Sequence, residues 1–135
     1  NLSIDLVINK KPVITDPGSF SYASDVTKRN FYRSNFAHFV PQCCGIKTMK
    51  FSHKNLFYVD QMLKAKCLLL TKDSFLGTIS YENQDLFRKV MIEEKGIRVL
   101  DYSTSSEIKK KDYKKKDVKV CSSFGVISDT RAFNF

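Results

Sequence analysis

Apolar and polar residues alternate through Ser3–Ile8, with Ile4, Leu6 and Ile8 on one side and Ser3, Asp5 and Val7 on the other. A period of two is that of a half-buried strand. Asn9-Lys10-Lys11-Pro12 reads as a turn, and Val13-Ile14-Thr15 as the antiparallel return. Pro17-Gly18 then ends the strand, because proline lacks the amide donor and glycine admits unusual backbone angles. Further strands are expected at Ala65–Leu70, Leu76–Tyr81, Leu86–Glu93, Ile97–Tyr102 and Val118–Cys121, with a last segment from Val126 to Phe135. Asp73-Ser74 turns the first of these into the second. Glu94-Lys95-Gly96 makes a tight hairpin turn with glycine at the left-handed position. His38–Val59 reads as strand-like but interrupted at Pro41 and Gly45. Asn55–Lys66 has the length for a short helix, although Phe57, Tyr58 and Val59 favour strand. No other stretch combines helix caps with a sustained 3.6 period. The expected fold is all-β, an antiparallel β-sandwich of about eight to ten short strands.

Between the first hairpin and His38 the alternation lapses. Ser19–Phe36 interleaves Tyr22, Phe31, Tyr32 and Phe36 with Lys28, Arg29, Asn30 and Arg33. This is too long for a hairpin connection, and long ordered loops in compact domains tend to carry function. Two readings stand: aromatics fastening the loop to a sheet with cations reaching outward, or a saccharide-binding rim in which guanidinium groups bind carboxylate or sulfate. The stretch also supplies a carboxylate, Asp16, and an imidazole, His38, at its two ends. The other histidine, His53, lies in a less patterned segment and reads as structural.

The 135 residues are enough for one domain with a real core, and 42% hydrophobic content is that of a globular chain. No apolar run reaches the roughly 18–20 residues of a membrane span. The chain starts at Asn1 and enters strand-like sequence at once, which suggests a piece of a longer protein. Lys and Arg outnumber Asp and Glu by 23 to 14, and the run Lys109–Asp117 contributes six lysines and two aspartates. Such a run reads first as a solvated loop. Its charge alone would suit a polyanion, but no zinc-finger spacing, helix-turn-helix pattern or aromatic RNA-binding motif accompanies it, so no nucleic-acid partner is expected. Cys43, Cys44, Cys67 and Cys121 have neither disulfide-framework nor zinc spacing and read as buried free thiols.

The run Val13–Tyr22 (VITDPGSFSY), followed by Arg29–Ser34 (RNFYRS) and Ala37-His38, resembles the heparinase II/III-like family of bacterial polysaccharide lyases and relatives. There a strand pair runs into "DPGSY", and an arginine- and aromatic-rich loop leads to "AHN". Phe87-Arg88-Lys89-Val90, Val99-Leu100-Asp101 and Ser122-Ser123-Phe124-Gly125 fit later family stretches more loosely. The sequence departs from the pattern at Phe39 and Val40, where the family has asparagine and threonine. The resemblance spans nearly the whole chain and is specific over about its first forty residues.

The resemblance implies that residues 1–135 are the C-terminal β-sandwich domain of a lyase whose N-terminal domain is an α-helical toroid. It implies a periplasmic or secreted location and an acidic, uronate-containing polysaccharide as substrate. It also implies a zinc ion held in part by Asp16 and His38, both ordinary zinc donors, with a third ligand upstream of Asn1. Tyr22 and Tyr32 are the candidate catalytic tyrosines; Arg29, Asn30 and Arg33 are the candidate substrate contacts. Family lyases cleave by β-elimination with most catalytic groups outside this stretch, so the domain is not expected to be active alone. The alternative is a non-catalytic carbohydrate-binding or capsule- or exopolysaccharide-biosynthesis accessory domain.

Overall fold

The computed structural model describes residues 2–21, 24–41, 63–81, 84–94, 96–104, 118–123 and 125–134. Among them are eight strands, all paired antiparallel, and one short helix. The all-β antiparallel class implied by the alternation is therefore the class adopted, a content consistent with a sandwich-like fold. No helix among these residues is long and apolar enough to cross a membrane. The chain divides into two compact units.

In one unit, β1 (Leu6–Ile8) and β2 (Lys11–Ile14) form the first hairpin. Its turn is tighter than the sequence suggested. Asn9 and Lys10 alone make it, with φ of 50° and 63°, while Lys11 and Pro12 already belong to β2. Two successive left-handed residues are the geometry that matches strand twist in a two-residue hairpin. Asparagine accepts that geometry readily; lysine does so at a cost. The C-terminal hairpin of β7 (Lys119–Ser123) and β8 (Val126–Arg131) belongs to the same unit. The segment after β8 lies beside β2: Thr15 N–H donates to the Ala132 carbonyl and Asn134 N–H to that of Val13, both at 2.8 Å. Ile14, Phe20, Tyr32, Ala37, Phe39, Val118, Ala132 and Phe133 are buried here.

Within the connection following β2, Val26–Arg33 is a helix, α1, where the sequence had suggested only irregular loop. Asp25 caps it, its carboxylate accepting the Lys28 amide at 2.9 Å. Eight residues are too few to show a sustained period, so only the cap and the Arg29/Tyr32 spacing mark the helix in sequence. The interrupted strand expected over His38–Val59 is absent from residues 38–41, and the rest of it, with His53, Cys43 and Cys44, lies outside the described residues. So do Tyr22 and the lysine run Lys109–Asp117.

The other unit holds a four-stranded meander, β3 (Lys64–Leu70), β4 (Ser74–Tyr81), β5 (Gln84–Glu93) and β6 (Gly96–Ser103), in that spatial order. The strand signal at residues 64–66 thus prevails over the helical alternative for that stretch. Leu2, Ile79 and Leu86 form a buried cluster with Leu63 and Phe75 packed on it. The same face carries an ion pair between a buried arginine and a partly buried aspartate. Arg88, with a side chain 0% exposed, donates from Nε and Nη2 to the two Asp101 carboxylate oxygens, both at 2.7 Å. Its Nη1 donates to the Leu2 carbonyl at 2.8 Å. The guanidinium fork thereby ties β5, β6 and the N-terminal segment together, with bidentate geometry offsetting the cost of burial. Gly77, paired with Arg88 across the sheet, leaves room for Leu2: a Cβ there would lie 2.7 Å from Leu2 Cδ2 and 2.6 Å from the Phe75 ring.

Two outcomes test this account. Arg88→Met leaves the partly buried Asp101 without its partner and is expected to lower unfolding stability by about 2–3 kcal/mol in urea denaturation, with R88M/D101L losing less than R88M. Lys10→Gly removes the left-handed strain of the first turn and is expected to raise stability by about 1 kcal/mol in the same assay.

Candidate functional site

Asp16 stands where β2 ends, and its neighbours fix it through the backbone. Its own N–H donates to the Asp5 carboxylate at 2.7 Å. Pro17 is fully buried, and its carbonyl accepts the Cys121 amide at 2.9 Å. Gly18 turns the chain at φ +75° with its amide donating to Asp16 Oδ1 at 2.8 Å, an aspartate turn of the usual kind. A Cβ at Gly18 would sit 3.4 Å from Cys121 Cβ, so both the angle and the close approach favour glycine. Oδ1 is thus engaged locally and Oδ2 is directed elsewhere.

The helix brings the chain back. Arg29 and Tyr32, three residues apart, are its buried residues. Tyr32 stacks on Phe20 with ring centroids 5.9 Å apart, and Phe31 meets Tyr32 edge-on at 5.3 Å. Ser34 closes the helix, its amide donating to the Phe31 carbonyl at 3.0 Å and its hydroxyl to the same oxygen at 2.6 Å. Ala37 N–H donates to the Ser34 carbonyl at 3.1 Å, and the buried Ala37 delivers His38 beneath the helix end.

There the two ends of the connection meet. His38 Nδ1 lies 2.8 Å from Asp16 Oδ2, and His38 Nε2 lies 2.7 Å from the Tyr32 carbonyl oxygen. A carbonyl only accepts, so Nε2 carries a proton. Nδ1 is then left facing a carboxylate. Either a second proton fills that position and donates to Asp16, or the lone pair is offered to a cation shared with Asp16. The hydrogen bond from His38 is the main cause that holds the Asp16 carboxyl below its ordinary value; partial burial opposes it, and the Gly18 amide and the His38 charge add to it.

This donor set fits the zinc ion that the family resemblance implies. A ligating histidine commonly gives its second ring N–H to a carbonyl or carboxylate, which fixes tautomer and orientation. The Tyr32 carbonyl occupies that place, and the Gly18 amide fixes the carboxylate in the same manner. Asp16 and His38 are a pair: among the described residues, no group of three or more His, Cys, Asp or Glu side chains is gathered for a metal ion.

The other candidates lie in different surroundings. Tyr32 is 4% exposed. Burial pushes its phenol up first, with the charge and the hydrogen bond of Cys121 adding to it. The Cys121 thiol is likewise raised, by burial first and by the Asp16 charge last; the Phe20 backbone and the Tyr32 hydroxyl act in the other direction. Arg29 is 1% exposed, its Nε and Nη2 donating to Asn30 Oδ1 at 3.2 and 3.1 Å. Arg29 therefore packs inward where an exposed rim had been expected. Arg33, half-buried, ends the helix, where a cation suits the C-terminal dipole.

Sequence reasoning missed Cys121, Asp5 and the Tyr32 carbonyl. Only Gly18, directly after Asp-Pro, carried a local signal for the turn. Cys121 had none, because it arrives on the opposite end of the chain. Comparison with family models, with curated proteins and with solved structures finds no match.

Acid titration tests the pair. A carboxyl depressed in the folded state contributes stability that is present above its unfolded value of about 3.8 and is lost as pH falls through the lower folded value. Wild-type protein is expected to lose stability relative to Asp16→Asn across that interval, read as melting temperature against pH. His38→Ala, which strands the Asp16 oxygen and the Tyr32 carbonyl together, is expected to cost about 1–3 kcal/mol near neutral pH.

Proposed function

We propose that this chain is the C-terminal β-rich part of a lyase that cleaves acidic, uronate-containing polysaccharide by β-elimination, as its resemblance to the heparinase II/III-like family implies. The observation that supports this most is the 2.8 Å contact between Asp16 and His38, which closes the connection between the two motifs that carry the resemblance. In this reading Asp16 Oδ2 and His38 Nδ1 are two ligands of a zinc ion, completed by a ligand that the family places before the first strand. Asp16 and His38 would hold the ion, and their contact joins the end of β2 to the end of α1, which sets the position of the loop between them.

β-Elimination requires neutralisation of the uronate carboxylate, removal of the C5 proton and protonation of the leaving O4. This chain contributes to the first task. Arg33, at the end of the fixed helix, contacts substrate anions, while Arg29 and Asn30 hold the helix in shape from within. Tyr32 anchors the helix through its ring and the histidine through its carbonyl, which leaves Tyr22, outside the described residues, as the candidate catalytic tyrosine. The general base and the rest of the proton relay belong to the parent's helical domain.

The full-length parent is expected to release unsaturated uronate, followed by ultraviolet absorbance, from at least one member of a panel of acidic polysaccharides. D16N and H38Q should each reduce that rate by about tenfold or more, the range usual for disturbed metal sites. Zinc should raise the melting temperature of the wild type and of neither variant. An inert parent across the panel, with zinc that leaves the melting temperature unmoved, would sink the proposal.

A further inference from the structure

The meander has a second face, turned away from the Leu2–Ile79–Leu86 cluster. Pairing across the four strands places Lys66, Thr78, Phe87 and Tyr102 side by side in one row. The next row is Leu69, Leu76, Lys89 and Leu100. Phe87 and Tyr102 stack with centroids 5.0 Å apart and planes 7° from parallel. Among the described residues β6 is a sheet edge with no strand beyond Tyr102, and the residue is 42% exposed.

Charge on this face is unbalanced. Lys64, Lys66 and Lys89 have no acidic partner among the described residues, while Arg98, at the far end, is paired with Glu93 at 2.8 Å. Among the described residues, the one further acidic residue on the face is Asp85, which shares its row with Lys64 through Ser80. Between Lys66 and Phe87 lies the Thr78 hydroxyl, in a residue 6% exposed and with no hydrogen-bond partner.

We propose that this face binds a segment of acidic polysaccharide, as a non-catalytic site that holds the polymer on the domain. This rests on the reading that the protein acts on uronate polymers. A flat aromatic ring accepts the apolar face of a sugar ring. Lys66, in the row of the Phe87–Tyr102 pair, and Lys89, in the next row, bind carboxylates as compact point charges. From Lys66 to Tyr102 the row crosses three strand spacings, about 14 Å, the length of a short run of sugar units. A single open ring face suits a saccharide better than single-stranded nucleic acid, which uses a series of aromatic platforms along a basic groove.

The test is affinity electrophoresis of the full chain through gels containing polygalacturonate, with dextran as the neutral control and oligothymidylate as competitor. Tyr102→Ala and the double variant K66Q/K89Q are expected to weaken retardation by polygalacturonate about tenfold each. Tyr102→Trp should retain it, and added salt should weaken it progressively. Wild-type retardation in both Y102A and K66Q/K89Q, with melting temperatures matching the wild type, would overturn the proposal. So would equal retardation by dextran, or displacement by oligothymidylate at lower concentration than by uronate oligomers. A parent that binds through this face yet releases no unsaturated uronate supports the site and overturns only the lyase reading.

Discussion

The hydrogen bond between Asp16 and His38 constrains the whole unit around it. It joins residues 22 positions apart, and everything between them must then close into one loop. Closing a loop of that length carries an entropic cost of several kcal/mol if its residues are free. The protein reduces that cost by ordering the loop internally: a glycine turn at one end, a capped helix in the middle, and a serine-closed turn before the histidine. Each piece is held by short-range hydrogen bonds, so the long-range contact has few degrees of freedom left to restrict.

The histidine ring links backbone to side chain. One nitrogen reads the end of α1 through the Tyr32 carbonyl; the other reads the end of β2 through Asp16. The ring cannot move without breaking one of them. Such an arrangement orients a donor atom before any ligand arrives, and preorganised donors give a metal site its geometry. The neighbouring phenol and thiol are of another kind. Burial raises both, which keeps Tyr32 and Cys121 neutral and makes them packing groups that happen to hydrogen-bond.

The second unit uses charge differently. On one face of its meander, the buried Arg88 and the partly buried Asp101 neutralise each other, with the Leu2 carbonyl accepting from Nη1. On the other, lysines near an aromatic pair have no acidic partner among the described residues. A sheet that satisfies its buried charges so completely on one side has no structural need for the unbalanced ones opposite, and this asymmetry gives the outer face its chemical character.

The sequence alone determined the strands. Period-two alternation and turn residues located β3–β6 to within about two residues, because a hairpin is a local object whose register follows from its turn. The same logic placed Asp16 at a strand end, since Pro17-Gly18 cannot continue a ladder; the pairing with His38 was what the family resemblance implied. What it missed was non-local or brief. Helix α1 is eight residues long and draws its stability from Tyr32 and Arg29 packing inward, which no propensity records. Arg29 read as a surface cation because its burial depends on neighbours that the chain brings together only in three dimensions. Cys121 joined the site through β7, from the far end of the sequence. Tertiary structure also decided which nitrogen of His38 faces Asp16, because that choice belongs to a carbonyl at the end of a helix, and a backbone atom leaves no mark in the order of side chains.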